Sequence, residues 1–167
     1  DGKIIKTDKQ RGKLVDKLKA RNISKHQPKP AYRHYIRKKN GKMRPLGIPT
    51  IIDRVYQEII RMALEPQMEV NFEPTSYGFR PKRGVHDAVG RIFNIIHNNE
   101  FNEVFEGDFK DCFNNLSHEF ILSKIKGFPL INLVGRYLKA GYVDNGVFNK
   151  TMRGSPQGGI LSPLLIS

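Results

Sequence analysis

Two short blocks concentrate the residue types that can do chemistry. The first is Glu106-Gly107-Asp108-Phe109-Lys110-Asp111-Cys112-Phe113, with a carboxylate at the end of a short apolar run. An aspartate at a strand end is held by a rigid element, and the backbone carbonyl of Phe109 can add a second oxygen. Mg²⁺ accepts such a donor set, because it takes one or two carboxylates alongside substrate oxygens. An aspartate that caps a turn has the same appearance, and spacing alone leaves both readings open. The second block is Gly154-Ser155-Pro156-Gln157-Gly158-Gly159-Ile160-Leu161-Ser162-Pro163-Leu164-Leu165. Glycine has no Cβ, so backbone there can approach a ligand closely. A tight turn before a helix uses glycine equally well. Ser162 offers an N-cap and Pro163 the favoured first helical residue.

Charge says what the chain meets. The net charge is +13, and it is not spread evenly. Residues 1–50 hold 16 Lys/Arg against 3 Asp/Glu, whereas residues 51–167 hold 13 of each. A basic arm beside an electroneutral body fits a polyanion partner. A solvated, solubilising face is the plainer alternative. No apolar run approaches 18 residues, which argues against a membrane span. No signal-peptide pattern opens the chain. Cys112 is the single cysteine, so no internal disulfide forms. That fits a reducing compartment, cytoplasmic in a bacterial host, with an organellar host left open. His26 and His86 have no Cys or His at zinc-ligand spacing.

These residues need elements to position them. Leu14, Val15 and Leu18 predict a short helix near 10–21, and His26–Pro30 reads as an extended connector. Tyr32–Arg37 and Lys42–Ile48 flank Asn40-Gly41, a strong hairpin signal. Thr50 and Asp53 make a capping-box-like pair. Ile52, Val55, Ile59 and Met62 then predict the buried stripe of a helix that ends before Pro66. Residues 71–84 read as an ordered loop. Val85, Ala88, Val89, Ile92, Phe93 and Ile96 hold a second helical stripe. Val104–Phe109 reads as a buried strand. Ser117 caps a helix ended by Gly127 and Pro129, Leu130–Ala140 forms another, and Asn145-Gly146 turns a second hairpin. A last helix begins at Ser162.

Four blocks occur in order: Arg44-Pro45-Leu46-Gly47-Ile48-Pro49-Thr50, Tyr77-Gly78-Phe79-Arg80-Pro81, the Asp108 block and the Gly154–Leu165 block. Together they resemble the reverse transcriptases and maturases encoded by group II introns, over roughly residues 30–167. The resemblance implies an α+β chain, with reverse-transcriptase fingers and the first half of a right-hand polymerase palm. It implies a basic N-terminal extension over 1–30, fingers over 31–100 and a partial palm over 101–167. Asp108 matches the first catalytic, metal-binding carboxylate, with the Phe109 carbonyl beside it. Phe113 matches the aromatic residue that excludes a 2′-OH, and Gln157 and Gly158 match the residues that border the nucleotide. Lys42, Arg44 and Arg54 are candidates for the triphosphate, and spacing does not choose among them. Arg37, Lys38 and Lys39 at the hairpin tip are expected on RNA phosphates. Tyr77 and Phe79 are expected to stack on bases and Arg80 to pair with phosphate, although a loop pinned by buried aromatics would also fit.

The resemblance further implies intron and template RNA, a DNA primer and dNTPs as partners, two Mg²⁺ ions, and assistance to intron splicing. Members of the family carry a Tyr-x-Asp-Asp block after the last helix, and this sequence has no Asp-Asp pair. The chain is therefore expected to stop before the second catalytic motif, to hold its metals incompletely and to be inactive alone. The unpaired strand at 104–109 is expected to favour self-association. Two other functions stay open. One is a non-catalytic RNA-binding maturase module. The other is a domesticated reverse transcriptase, whether CRISPR-associated, retron or diversity-generating.

Overall fold

The computed structural model describes residues 4–98, 101, 103–109, 111–155 and 158–166. Helix α1 (Asp8–Lys19) opens with a capping box: the Thr7 hydroxyl accepts from the Gln10 amide, and the Gln10 side chain accepts from the Thr7 amide. This satisfies two donors that the first turn leaves free. A single 3-10 turn (Ile23–Lys25) and the extended run 26–30 lead into strand β1 (Ala31–Arg37). Strand β2 (Met43–Ile48) returns antiparallel, with Arg33 opposite Gly47 and Arg37 opposite Met43. Gly41 takes φ +80°, as the turn between them requires. The second hairpin pairs β3 (Tyr142–Asp144) with β4 (Val147–Asn149). Asn145 and Gly146 both have positive φ there, the geometry an Asn-Gly two-residue turn supplies.

The hairpins join through a parallel pairing of β1 with β3, Ala31 to Tyr142 and Tyr32 to Val143. The sheet order is β2-β1-β3-β4. Helix α2 (Ile51–Glu69) follows β2, and its Thr50 cap accepts from the Asp53 amide. Helix α3 (Val85–His97) starts at Gly84, whose amide donates to the Asp87 carboxylate. Then come a single turn α4 (Cys112–Asn115), α5 (His118–Lys124), α6 (Ile131–Lys139) and α7 (Ser162–Ile166). The core joins Tyr56, Ile60 and Leu64 of α2 to Ile121, Phe128, Leu133, Val134, Leu138 and the α7 leucines. Both sheet and core thus draw on residues from either side of position 100.

Four expectations need correction. The buried face of α2 is Asp53, Tyr56, Gln57, Ile60 and Leu64, and Ile59 and Met62 face outward. The helix also continues through Pro66. Proline removes the donor to the carbonyl four residues back. That residue is Met62, on the exposed side, where water can replace the missing bond. Helix α3 forms as predicted, yet none of its residues is buried. Finally, the described residues of 104–109 form no strand, and Phe105 is 94% exposed. A strand needs a pairing edge, and none of the sheet's four strands offers one to this segment.

Candidate nucleic-acid interface

The basic first third of the chain gathers on two surfaces. At the end of the β1–β2 hairpin, Arg37, Lys38, Lys39 and Arg44 share a shallow depression with Ile36 and Leu46. The turn holds them in place: the Lys38 amide donates to the Lys42 carbonyl, and the Gly41 amide to that of Lys38. Lys42 lies in this turn and is exposed. Arg54 is exposed on the first turn of α2 and lines no described cleft with them.

The second surface is a groove of about 1150 Å³ between α1, the connector and the start of α2. Lys13, Lys17, Arg21, Lys25 and Lys29 line it. Lys13, Lys17 and Arg21 follow one another at four-residue spacing, which puts Lys13 and Lys17 on one side of α1. The floor of the groove is a buried polar network around Asp53, which is 1% exposed. Its carboxylate accepts from the Thr50 hydroxyl at 2.6 Å and meets His26 Nε2 at 2.6 Å. The Lys29 amide and the Tyr137 hydroxyl each donate to it at 3.4 Å. Burial, and after it the charge of Asp53, push the Tyr137 hydroxyl far above its ordinary range. Arg136 adds hydrogen bonds to the carbonyls of Ser24 and His26. The connector that carries three of the groove's cations is therefore tied to α2 and α6. The sequence marks Asp53 only as a capping partner; its spacing from Thr50 was the available signal, and His26 had none.

Residues around the second block meet the turn at α4. The Ser155 amide donates to the Phe113 carbonyl and the Gly154 amide to that of Leu116, both at 2.7 Å. Buried His118 bonds the Gly154 carbonyl through Nε2 at 2.9 Å. Phe113 is half-buried in that turn. Gly154 has φ +73°, and a Cβ there would sit 2.3 Å from the Phe113 carbonyl oxygen. Gly158 has φ +104°, and its Cβ would sit 2.6 Å from the Gly47 carbonyl oxygen of β2. Both glycines thus make room for the protein's own backbone. Gln157 lies outside the described residues.

Asp108 and Phe109 are exposed in the segment without regular structure. Among the described residues, no three His, Cys, Asp or Glu side chains come close enough to hold a metal ion. The residues present therefore do not by themselves form the Mg²⁺ site that the family implies, and no reaction step is assigned to one.

The loop at 71–84 corrects one assignment. Arg80 is 6% exposed, and its guanidinium does not face solvent. It clamps Glu69 through Nε and through an Nη donor at 2.6 Å, and it also donates to the carbonyls of Glu73 and Ser76. Those hydrogen bonds hold the Glu69 carboxyl below its usual range. Arg80 pins the loop and has no free edge for phosphate. Tyr77 is half-buried with the Arg83 guanidinium 5.8 Å over its ring. Phe79 is exposed at φ +58° and free to meet a partner.

Residues 36–167 match the model of the reverse transcriptase (RNA-dependent DNA polymerase) family, and the chain belongs to that family. Its relatives are intron-encoded members. It is 44% identical over 158 residues to the group II intron-encoded protein LtrA of Lactococcus lactis, covering 92% of this chain and 26% of that protein. It is 40% identical over 147 residues to the protein YkfC of Escherichia coli, covering 84% and 39%. A 91 kDa protein in the cob intron of Schizosaccharomyces pombe is 36% identical over 157 residues, covering 92% and 19%. The chain thus spans about a quarter of the length of LtrA. Among the described residues, no helix is long and apolar enough to cross a membrane.

Proposed function

We propose that this chain is the template-gripping and nucleotide-facing part of a group II intron reverse transcriptase. In the longer protein it binds intron and template RNA, extends a DNA primer with dNTPs and assists splicing. The observation that carries this reading is the pairing of two basic surfaces with a turn that joins the Asp108–Phe113 segment to Gly154-Ser155. The hairpin tip and the α1 groove give affinity through phosphate contacts. Asp108 serves the reaction together with carboxylates contributed from elsewhere in the longer protein. Phe113 and Gln157 border the sugar and base, with Lys42, Arg44 or Arg54 on the triphosphate. Residues 1–30 act as a basic extension, 31–100 as fingers and 101–167 as part of a palm. Supplied alone, the chain lacks the second carboxylate pair and does not extend a primer.

One experiment separates affinity from chemistry. In the longer protein, Asp108→Ala should abolish DNA synthesis and leave RNA affinity within a few-fold of wild type. Catalysis rests on interactions made in the transition state, whereas phosphate contacts are already made in the ground state. Synthesis that survives the substitution would refute the assignment. An RNA-binding module without catalysis would instead show no synthesis in the wild type.

A further inference from the structure

A third cleft, of about 440 Å³, lies between the β1–β3 part of the sheet and the loop that leaves β4. Arg33, Asn114, Tyr142, Lys150, Arg153 and Ser155 line it, and no carboxylate does. The register explains how Arg33 arrives there. Arg33 pairs with Gly47 in β2, and Ala31 pairs with Tyr142 in β3, so Arg33 and Tyr142 are two short steps apart on neighbouring strands. The Arg33 guanidinium lies 3.5 Å over the Tyr142 ring. Its Nε is buried and has no hydrogen-bond partner among the described residues. Asp144, on the same strand as Tyr142, accepts from the Tyr35 hydroxyl at 2.6 Å. Lys150 and Arg153 are exposed on the opposite wall.

We infer that this cleft is a phosphodiester-binding site for a single nucleic-acid strand, separate from the hairpin tip and the α1 groove. The inference rests on the function proposed above. Three cations face one small cleft with no acid among its walls, so its ligand is an anion. Stacking fixes the plane of the Arg33 guanidinium, a fork whose geometry matches phosphate oxygens. That same stacking covers the Tyr142 ring, so the cleft reads phosphate and not a base face. Asn114 and Ser155 add neutral groups beside the charge. The volume is that of a pocket for one small ligand, which admits a strand segment and excludes a duplex.

The test uses the intact 167-residue chain and two fluorescent 12-mers of one sequence, one RNA and one DNA, with affinity followed against salt. Lys150→Gln with Arg153→Gln removes two exposed cations without touching the core. Each lost contact to a single strand lowers the slope of log affinity on log salt by about 0.7. The double variant should therefore show a slope shallower by about 1.4. Lys124→Gln with Lys126→Gln removes equal charge elsewhere and should keep the wild-type slope. Loss with both oligomers supports a shared phosphate contact, and loss with one names the strand the cleft takes. A double-variant slope equal to wild type with both oligomers overturns the inference. A wild type that binds neither oligomer in a salt-dependent way is a different result, because it refutes the function proposed above.

Discussion

Asp53→Ala should be among the most damaging single substitutions in the chain, and its effect should reach RNA binding. The carboxylate is 1% exposed and accepts from or meets four groups: Thr50, His26, the Lys29 amide and Tyr137. Truncation leaves His26, at 13% side-chain exposure, and the buried Tyr137 hydroxyl without their acceptor. Removing one partner of a buried charged pair costs about 3–5 kcal/mol. For a chain of this size, each kcal/mol moves the melting temperature by about 2–4 °C, so a fall on the order of 10 °C follows. Asp53→Asn keeps an acceptor oxygen and should cost less, about 1–3 kcal/mol. The connector bearing Lys25 and Lys29 would lose its tether, so RNA affinity should weaken with little change in salt slope. Urea unfolding measures the first effect and a binding titration the second. An Asp53→Ala chain within about 1 kcal/mol of wild type would refute the claim that this network fixes the connector.

Gly154→Ala should destabilise more than Gly146→Ala. Both positions have positive φ, which costs a non-glycine residue about 1–2 kcal/mol. Only at Gly154 does the new Cβ also strike backbone, at 2.3 Å from the Phe113 carbonyl oxygen, and urea unfolding compares the two. Arg80→Gln should speed proteolysis within 71–84. Glu69 titrates below its ordinary value of 4.5 because Arg80 bonds its charged form. Its contribution is thus complete above the unfolded pKa and lost as pH falls through the lower folded one. Protection in wild type should be flat above about pH 4.5 and decline below, and Arg80→Gln should lose that dependence. The exposed apolar face of α3 should drive self-association. Ile92→Glu should reduce concentration-dependent light scattering without lowering stability, since the side chain is more than half exposed.

Much of this architecture is legible where local chemistry dictates it. Asn40-Gly41 and Asn145-Gly146 fix both hairpins, and Thr50 and Ser117 cap their helices as their side chains suggest. Facing is harder to read than periodicity. In α2 the polar residues Asp53 and Gln57 occupy the buried face, so the apolar count points to the wrong stripe. Gln57 is buried because its side-chain oxygen accepts from the Ile160 amide, 103 positions away. Arg80 misleads for a related reason. A cation announces its charge but not its partner, and Glu69 is brought to it by the folding of the loop. The 104–109 segment has strand-like composition, but pairing depends on a neighbour that composition does not reveal.

The parallel pairing of β1 with β3 bears on how the chain folds. Each hairpin closes over a few residues, a microsecond event. Joining them brings together Ala31 and Tyr142, which lie 111 positions apart, through a register of only two residue pairs. Loop closure on that scale must be offset before so few pairs can reward it. The helical core has to assemble first and hold the two hairpins edge to edge. During synthesis, β1 and β2 wait as an isolated hairpin, marginal in water, until β3 has left the ribosome. Mutations at Tyr142 should therefore speed unfolding and leave the folding rate nearly untouched, so the cleft between the hairpins is the last part of the surface to exist.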